Sequence, residues 1–134
     1  MENKTGTIKQ KIMIDATTEE VYRAYMDSRI HSKFTGSKAK IVPREGGKMA
    51  AWDNYITGKN LELVKNKRIV QEWSTSEWPD GYPPSIVTIT LRRVGRRTEL
   101  TMVQSKVPKS QIKDYTEGWK DWYWKPLMEY FKAR

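Results

Sequence analysis

The segment YTEGWKDWYWKPLMEYF, residues 115–131, carries seven aromatic side chains and decides how the chain closes its core. At about 100° per residue, most of its large side chains and one just before the segment fall on a single helical stripe. The stripe consists of Ile112, Tyr115, Trp119, Trp122, Tyr123, Pro126 and Tyr130. The opposite face is charged and consists of Asp114, Glu117, Asp121, Lys125 and Lys132. The segment is therefore predicted to be an amphipathic helix that covers a sheet.

Two features of this helix do not follow from simple amphipathicity. Pro126 cannot donate to the carbonyl of Trp122, which predicts a bend that lets the helix follow a twisted sheet. Trp124, Met128 and Phe131 fall at the edge of the stripe or beyond it. Burial against a sheet does not account for these three side chains, and an interface is the alternative.

Between residues 39 and 105 short apolar segments alternate with turn residues, which is typical of a meander of strands. The predicted strands lie at 38–43, 48–53, 55–64, 68–75, 85–93 and 98–105. The connections are too short for crossover helices, so these strands are expected to pair antiparallel. Gly58 lies inside a strand pattern and is predicted to mark a sharp bend of the sheet.

The N-terminal part of the chain predicts one strand and two short helices. Residues 7–15 alternate in hydrophobicity and are predicted to form the first strand. Thr17 and Glu20 have the spacing of a capping box, which predicts a helix starting there. Asp27 is a second N-cap candidate, and Gly36 is expected to end the short helix that follows.

Length and composition predict one folded domain. A chain of 134 residues has room for a single core, so we assign residues 1–134 to one domain. Hydrophobic residues make up 37% of the chain and are spread along it, which argues against disorder. A strand, two short helices, six strands and a long helix predict an α+β fold with a helix-grip order of elements.

The charge balance favours an anionic partner. The chain has 25 Lys and Arg against 16 Asp and Glu, a formal net charge of +9. The densest basic residues surround two hairpin turns and are Lys65, Lys67, Arg68, Arg92, Arg93, Arg96 and Arg97. Nucleic acid is not expected, because these hairpins lack aromatic residues for base stacking. A solvated loop and docking on an acidic protein are the two interpretations left.

Several classes of protein are excluded or disfavoured by absences in the sequence. The chain has no cysteine, which excludes disulfides, thiol nucleophiles and thiolate metal sites. No segment approaches the ~20 apolar residues of a membrane span, and the start lacks the apolar core of a secretory signal. We therefore expect a cytoplasmic protein without a membrane span, and we also expect a monomer.

The sequence shows no catalytic constellation. His31 is the single histidine, so it can form neither a triad nor a histidine metal site. It is predicted to be a surface or hydrogen-bonded structural residue near a cavity rim. A catalytic pair of carboxylates would have to come from strand residues such as Glu62, Glu72, Glu77 and Glu99. We expect no metal, no cofactor and no enzymatic activity.

An ordered set of motifs resembles a known family. The stretches are FTGSKAKIVPREGGKMAAWDNYITGKNLELVKNKRIVQEW at 34–73, WPDGYPPSIVTITL at 78–91, TELTM at 98–102 and GWKDWYW at 118–124. Together they resemble the domain of the activators of the ninety-kilodalton heat-shock chaperone ATPase, a branch of the START-like SRPBCC superfamily. The resemblance runs from about Ile8 to Phe131. It implies a curved antiparallel sheet of about seven strands wrapped around the C-terminal helix, with two short helices after the first strand.

In many relatives a cavity lies between that sheet and the terminal helix, and this implies a binding function. The leading prediction is a non-enzymatic, stress-related domain that binds a small hydrophobic or amphipathic ligand. The predicted ligand-binding residues are Ile30, Phe34, Trp73, Ile89, Met102, Trp119, Trp122 and Tyr123.

Two alternatives remain open from the sequence. One is a co-chaperone that binds the heat-shock chaperone through Arg92, Arg93, Arg96 and Arg97. The other is a cyclase- or aromatase-like enzyme, which requires a polar pair such as His31 with an inward-facing acid.

Overall fold

Seven strands form one antiparallel sheet in the computed structural model of the protein. The structure describes residues 4–133. The two ends of the predicted 1–134 domain lie outside the described residues. The strands are β1 Thr5–Ile14, β2 Lys40–Ile41, β3 Lys48–Ala51, β4 Ile56–Val64, β5 Arg68–Thr75, β6 Ser85–Val94 and β7 Arg97–Pro108. Their order in the sheet is β1-β7-β6-β5-β4-β3-β2. Strands that follow one another from β2 to β7 are therefore neighbours, as short hairpin connections require.

The two N-terminal helices begin and end at the predicted signals, whereas the terminal helix is divided into two α-helices. They are α1 Thr18–Met26, α2 Ser28–Thr35, α3 Ile112–Trp119 and α4 Lys125–Lys132. The capping box is present, since the Thr17 hydroxyl accepts from the Glu20 amide at 3.1 Å and the Glu20 carboxylate accepts from the Thr17 amide at 3.0 Å. Asp27 caps α2, and Gly36 ends it at φ 78°. None of the helices within residues 4–133 has the length and apolar character needed to cross a membrane.

The terminal helix, residues 112–132, contains a π turn at Lys120–Trp124 between α3 and α4. The extra residue in this turn rotates the residues around it relative to a continuous α-helix. Trp124 is 1% exposed and lies in the core, whereas Trp122 is 61% exposed. The prediction that Trp122 is buried against the sheet and Trp124 is not is therefore wrong. Pro126 lies in the first turn of α4, where its missing N–H costs little.

Gln10 on β1 holds the two sides of the π turn together. Its side-chain amide donates to the carbonyl of Thr116 at 2.8 Å, and its side-chain oxygen accepts from the indole N–H of Trp124 at 2.6 Å. One polar residue on an edge strand therefore fixes both the backbone before the turn and the large side chain at its end.

The core between sheet and helices also contains a connected set of polar groups. The Tyr25 hydroxyl donates to Gln71 at 3.2 Å, Gln71 donates to Asn60 at 2.9 Å, and Asn60 donates to the Val42 carbonyl at 2.8 Å. Tyr25, Asn60 and Gln71 are buried, so each hydrogen bond offsets the cost of removing a polar group from water. This chain of contacts ties α1 to β5, β4 and the loop after β2.

Gly58 on β4 is required by a close approach of β4 and β5. A Cβ at this position would overlap the carbonyl oxygen of Glu72, and the irregularity in the β4–β5 register lies later, between Asn60 and Glu62. We expect Gly58→Ala to lower the free energy of unfolding by about 2–3 kcal/mol, because two central strands must separate. Urea unfolding followed by circular dichroism measures this effect.

Gly118 on α3 provides a matched control for that substitution. A Cβ there meets only the Trp122 ring, at 3.9 Å, which is an ordinary contact. We expect Gly118→Ala to raise the free energy of unfolding by about 0.5–1 kcal/mol, because alanine favours a helix over glycine. Destabilisation of similar size at both positions would contradict the proposed role of Gly58.

Candidate ligand cleft and basic hairpin surface

A cleft of about 510 Å³ opens between the terminal helix and the sheet. It is lined by Trp52, Tyr55, Ile56, Trp73, Asp114, Tyr115, Gly118, Trp119, Trp122 and Tyr123. The terminal helix supplies one wall, β4 and β5 supply Ile56 and Trp73, and the β3–β4 turn supplies Trp52 and Tyr55. Most of these side chains are aromatic, so the cleft is an apolar space with few polar groups.

The rings of the cleft pack in the geometries that aromatic pairs prefer. Trp73 stacks on Trp119 with ring centroids 5.5 Å apart, and it meets Tyr115 edge-on at 5.3 Å. Trp52 meets Trp122 edge-on at 6.0 Å and forms the outer corner of the cleft. Offset-stacked and edge-to-face pairs are favourable beyond the area they bury, which keeps these walls in place.

Trp52 reaches the cleft through a strained turn. Trp52, Asp53 and Asn54 have φ of 53°, 54° and 70°, so three consecutive residues other than glycine are left-handed. This conformation is costly for residues with a Cβ and is found mainly where the surrounding structure enforces it. The amide of Asp53 donates to the Lys38 carbonyl at 2.9 Å, and that of Tyr55 to the Trp52 carbonyl at 3.1 Å.

Hydrogen bonds behind the cleft anchor one of its two stacked indoles. The Trp119 N–H donates to the side-chain oxygen of Gln104 at 2.8 Å, and Gln104 donates to the Ser85 hydroxyl at 3.0 Å. Ser85 in turn donates to the Trp73 carbonyl at 2.6 Å. The buried indole N–H of Trp73 has no hydrogen-bond partner within residues 4–133, so packing alone holds that ring.

His31 lies in the core behind Tyr123 and not at the cleft rim. It is fully buried, and its Nδ1 donates to the Tyr25 carbonyl at 2.8 Å. A carbonyl can only accept, so the proton is on Nδ1, and Nε2 accepts from the Tyr123 hydroxyl at 2.9 Å. Burial lowers the pKa of His31 to about 4, although the hydrogen bond to Tyr25 opposes this change. His31 is therefore a neutral structural residue that supports the cleft wall.

The structure brings together four of the eight predicted ligand-binding residues. The residues that line the cleft are Trp73, Trp119, Trp122 and Tyr123. The residues that lie outside its lining are Ile30, Phe34, Ile89 and Met102. Phe34 instead stacks on His31 at 5.0 Å, and Ile89 faces Met102 across β6 and β7 in the buried core. Ile89 and Met102 are 1% and 0% exposed, so neither presents a surface to a guest.

Sequence reasoning missed part of the cleft lining. Tyr115 belonged to the predicted aromatic stripe but was not chosen as a ligand residue. Trp52 was assigned to the end of a strand, although the turn residue Asn54 follows it closely. The turn signal at Asn54 could have indicated that Trp52 leaves the sheet, but nothing in the sequence indicates in which direction.

None of the four candidate catalytic carboxylates, Glu62, Glu72, Glu77 and Glu99, is among the residues that line the cleft. Glu62 and Glu99 pair with arginines on neighbouring strands at 2.8 and 3.0 Å. Glu77 accepts a hydrogen bond from the Tyr55 hydroxyl, and Glu72 lies between two buried residues of β5 and so faces the other side of the sheet. No group of three or more metal-ligating His, Asp or Glu residues occurs in the described part of the chain.

The β4–β5 and β6–β7 hairpins place basic side chains at one end of the sheet. The amide of Leu91 donates to the Lys67 carbonyl at 2.8 Å, which joins the two hairpins. Val64 and Val94 flank the turns and are 42% and 38% exposed. We call this region the basic hairpin surface; it comprises Val64, Lys65, Lys67, Arg68, Arg92, Arg93, Val94, Arg96 and Arg97.

The basic hairpin surface carries seven cations. Arg92 makes a bidentate contact with Glu99, and its hydrogen bonds hold the pKa of that carboxyl below its usual value. Arg68 pairs with Glu62 at 2.8 Å. A neighbouring groove is lined by Arg93, Arg96 and Arg97 together with Asp15, Glu19 and Glu20. The seven cations therefore face five carboxylates, and the surface keeps a modest excess of positive charge.

The sheet, the terminal helix and the cleft between them define a START-like helix-grip domain. The sequence model of the family described as "Activator of Hsp90 ATPase homolog 1-like protein" matches residues 15–132. The chain belongs to this family, which confirms the resemblance inferred from the sequence motifs.

The matched relatives are longer than this chain. The human protein named "Activator of 90 kDa heat shock protein ATPase homolog 1" is 28% identical over 127 residues, covering 93% of this chain and 36% of that protein. The mouse protein of the same name gives the same identity and coverage. The chain thus spans only 36% of the length of these curated relatives.

Solved structures share the fold. A crystal structure of an HSP90 activator from Plasmodium falciparum superimposes with a TM-score of 0.86 at 20% identity, covering 94% of this chain and 96% of that one. The crystal structure of CalU16 from Micromonospora echinospora gives a TM-score of 0.81 at 22% identity, covering 96% and 75%. These similarities confirm the predicted α+β helix-grip class.

Proposed function

We propose that this chain is a co-chaperone domain that binds the 90-kDa heat-shock chaperone. The observation that carries the proposal is the family match over residues 15–132, together with the human relative named as an activator of that chaperone's ATPase. Binding of a small hydrophobic ligand is the leading prediction from the sequence, and chaperone binding is an alternative. The family relationship favours the alternative.

The basic hairpin surface is the proposed contact with the chaperone. It combines an excess of positive charge with two exposed valines, Val64 and Val94. Charges at an interface steer association and set its salt dependence, while the apolar side chains provide area that binding can bury. The proposed partner surface is therefore acidic, with small apolar side chains at its centre.

Charge reversal at the tips of both hairpins tests this proposal. Lys67→Glu together with Arg96→Glu is expected to weaken binding to the purified chaperone about tenfold at low salt, because two attractive contacts become repulsive. The unmodified protein is expected to bind more weakly as salt rises. Surface plasmon resonance measures binding, and a coupled assay measures the chaperone's ATP hydrolysis.

A second double variant controls for net charge. Lys109→Glu with Lys113→Glu changes the charge equally, but both residues are exposed and follow the far end of β7. This control is expected to bind as the unmodified protein does. Equal weakening by the two double variants would reject the basic hairpin surface as the contact, and no binding of the unmodified protein at low salt would reject the co-chaperone function.

A specific feature favours a second function, the binding of a small apolar or amphipathic molecule in the cleft. Its volume of about 510 Å³ is in the range of ligand sites, which is roughly 300–1,000 Å³. The left-handed turn that presents Trp52 is the kind of strained backbone that clusters at ligand sites. Both functions can coexist, because the cleft and the basic hairpin surface share no residue.

A substitution that fills the cleft tests the second function. Gly118→Leu extends a side chain from α3 into the cleft, and Gly118→Ala serves as the control because its Cβ makes only an ordinary contact. In a tryptophan fluorescence titration with a panel of lipids, sterols and aromatic polyketides, the leucine variant is expected to bind at least about tenfold more weakly. No saturable change with any compound would reject ligand binding in the cleft.

A further inference from the structure

The charge of the cleft is opposite to that of the chain. The protein has 25 Lys and Arg against 16 Asp and Glu, yet no Lys or Arg is among the residues that line the cleft. The charged lining residue is Asp114, which is exposed on α3. Lys113 and Lys120, its basic neighbours on the terminal helix, are exposed but do not belong to the lining.

A second carboxylate lies at the rim. The Tyr55 hydroxyl, in the cleft lining, donates to the carboxylate of Glu77. Burial raises the pKa of Tyr115 and its hydrogen bond with Thr75 opposes this, while the negative charges of Glu77 and Asp114 both add to the increase. Cationic groups stabilise ionised tyrosine and would lower this pKa. The electrostatic environment of the cleft is therefore acidic within an otherwise basic protein.

The aromatic rings provide the other half of a cation site. The faces of indole and phenol rings are electron-rich and attract ammonium groups, with tryptophan the most effective. Trp52 and Trp122 meet at 76° to form a corner, and Trp122 is 61% exposed. A positively charged group at this corner would contact two indoles, and Asp114, about 12 Å along the helix from Trp122, would add a weaker long-range attraction.

We propose that the cleft binds an organic cation: an aromatic or alkyl body that lies against Trp73, Trp119 and Tyr115, with an ammonium group at the corner of Trp52 and Trp122. This inference rests on the second proposed function and names its ligand class. Aromatic walls without bases disfavour carboxylates and phosphates, because a buried anion there would have no cationic partner.

Three probes with the same naphthylethyl body and small end groups of different charge test the ligand class. They are 2-(1-naphthyl)ethylammonium, 2-(1-naphthyl)ethanol and 3-(1-naphthyl)propionate, titrated by isothermal calorimetry at one pH and one ionic strength. The expected affinity order is cation, alcohol, carboxylate, with about tenfold between cation and alcohol. The net charge of +9 predicts the reverse order, so non-specific electrostatic attraction cannot produce the expected result.

Three variants test which residues cause the preference for the cationic probe. Asp114→Asn is expected to lower the affinity for the cationic probe about threefold, because one exposed carboxylate contributes modestly. The affinity for the alcohol is expected to stay unchanged. Trp122→Leu keeps an apolar side chain at the corner. It is expected to lower the affinity for the cationic probe about fivefold more than it lowers the affinity for the alcohol. Glu117→Gln removes a charge from the same helix outside the lining and is expected to change neither affinity.

The outcomes separate this inference from the function on which it rests. Saturable binding of the alcohol or the carboxylate at least as tight as that of the cation would overturn the cation inference and leave ligand binding standing. A cation preference that Glu117→Gln reduces as much as Asp114→Asn would also overturn it, since the effect would then be general to the protein surface. Absence of saturable binding by all three probes would overturn the inference, and the broader compound panel would then decide the ligand-binding function.

Discussion

Replacing Trp124 by alanine is expected to lower the free energy of unfolding by about 3–5 kcal/mol. The side chain is 1% exposed, stacks on Trp119 with ring centroids 5.1 Å apart, and donates to Gln10 at 2.6 Å. Its loss leaves a cavity under the terminal helix and removes the hydrogen bond that Gln10 accepts. Urea unfolding followed by circular dichroism measures the change.

The neighbouring Trp122 provides the matched comparison. It is 61% exposed and meets Trp52 edge-on, so Trp122→Ala is expected to lower the free energy of unfolding by less than about 1 kcal/mol. A continuous α-helix, in which Trp122 belongs to the buried stripe and Trp124 does not, predicts the opposite ranking. A larger loss for Trp122→Ala than for Trp124→Ala would therefore contradict the π turn.

Stability is expected to fall by about 3 kcal/mol between pH 7 and pH 4 through His31 alone. Burial lowers its pKa to about 4 in the folded protein, against 6.5 in the unfolded chain. The unfolded state therefore binds the proton more readily, and the contribution to stability is complete above pH 6.5 and lost as the pH falls towards 4. Its ring neighbours Tyr25 and Tyr123 do not titrate in this window, because burial raises the pKa of both.

Comparison with His31→Asn isolates this contribution. The asparagine amide can donate to the Tyr25 carbonyl but does not titrate, so the variant is expected to be less stable at pH 7. The gap in the free energy of unfolding between the two proteins should then narrow as the pH falls. More than half of the narrowing is expected above pH 5, before Glu99, whose pKa is below 4.5, begins to contribute. A gap that stays constant from pH 7 to pH 5 would show that His31 is not held neutral by burial.

The regular parts of the fold could be predicted because their signals are local. Thr17 and Glu20 are three residues apart. The side chain of each accepts a hydrogen bond from the backbone amide of the other, as that spacing predicts. Alternation along β5, where Ile69, Gln71 and Trp73 are buried, indicates a strand with one face in the core. Such patterns depend on neighbours in the chain and need no knowledge of distant contacts.

The cleft could be predicted only in part, because long-range contacts decide it. The helical stripe assumes a constant 3.6 residues per turn, whereas Gln10, more than a hundred residues away in the chain, holds a π turn that changes which indole is buried. The left-handed turn at Trp52 depends on the Lys38 carbonyl in the same way. His31 carries no local signal for burial, since its two partners lie on α1 and beyond α3.

The π turn has a consequence for tracing ancestry within the family. A π turn holds one residue more than the α-helical turn it replaces. In a homologue whose last helix lacks this extra residue, positions counted back from the end of the helix match this chain only after a gap within residues 120–124. An ungapped alignment of the last helix would assign a core aromatic to the cleft and a cleft aromatic to the core. Equivalent positions of the last helix are therefore best identified by superimposing the backbones of the two structures.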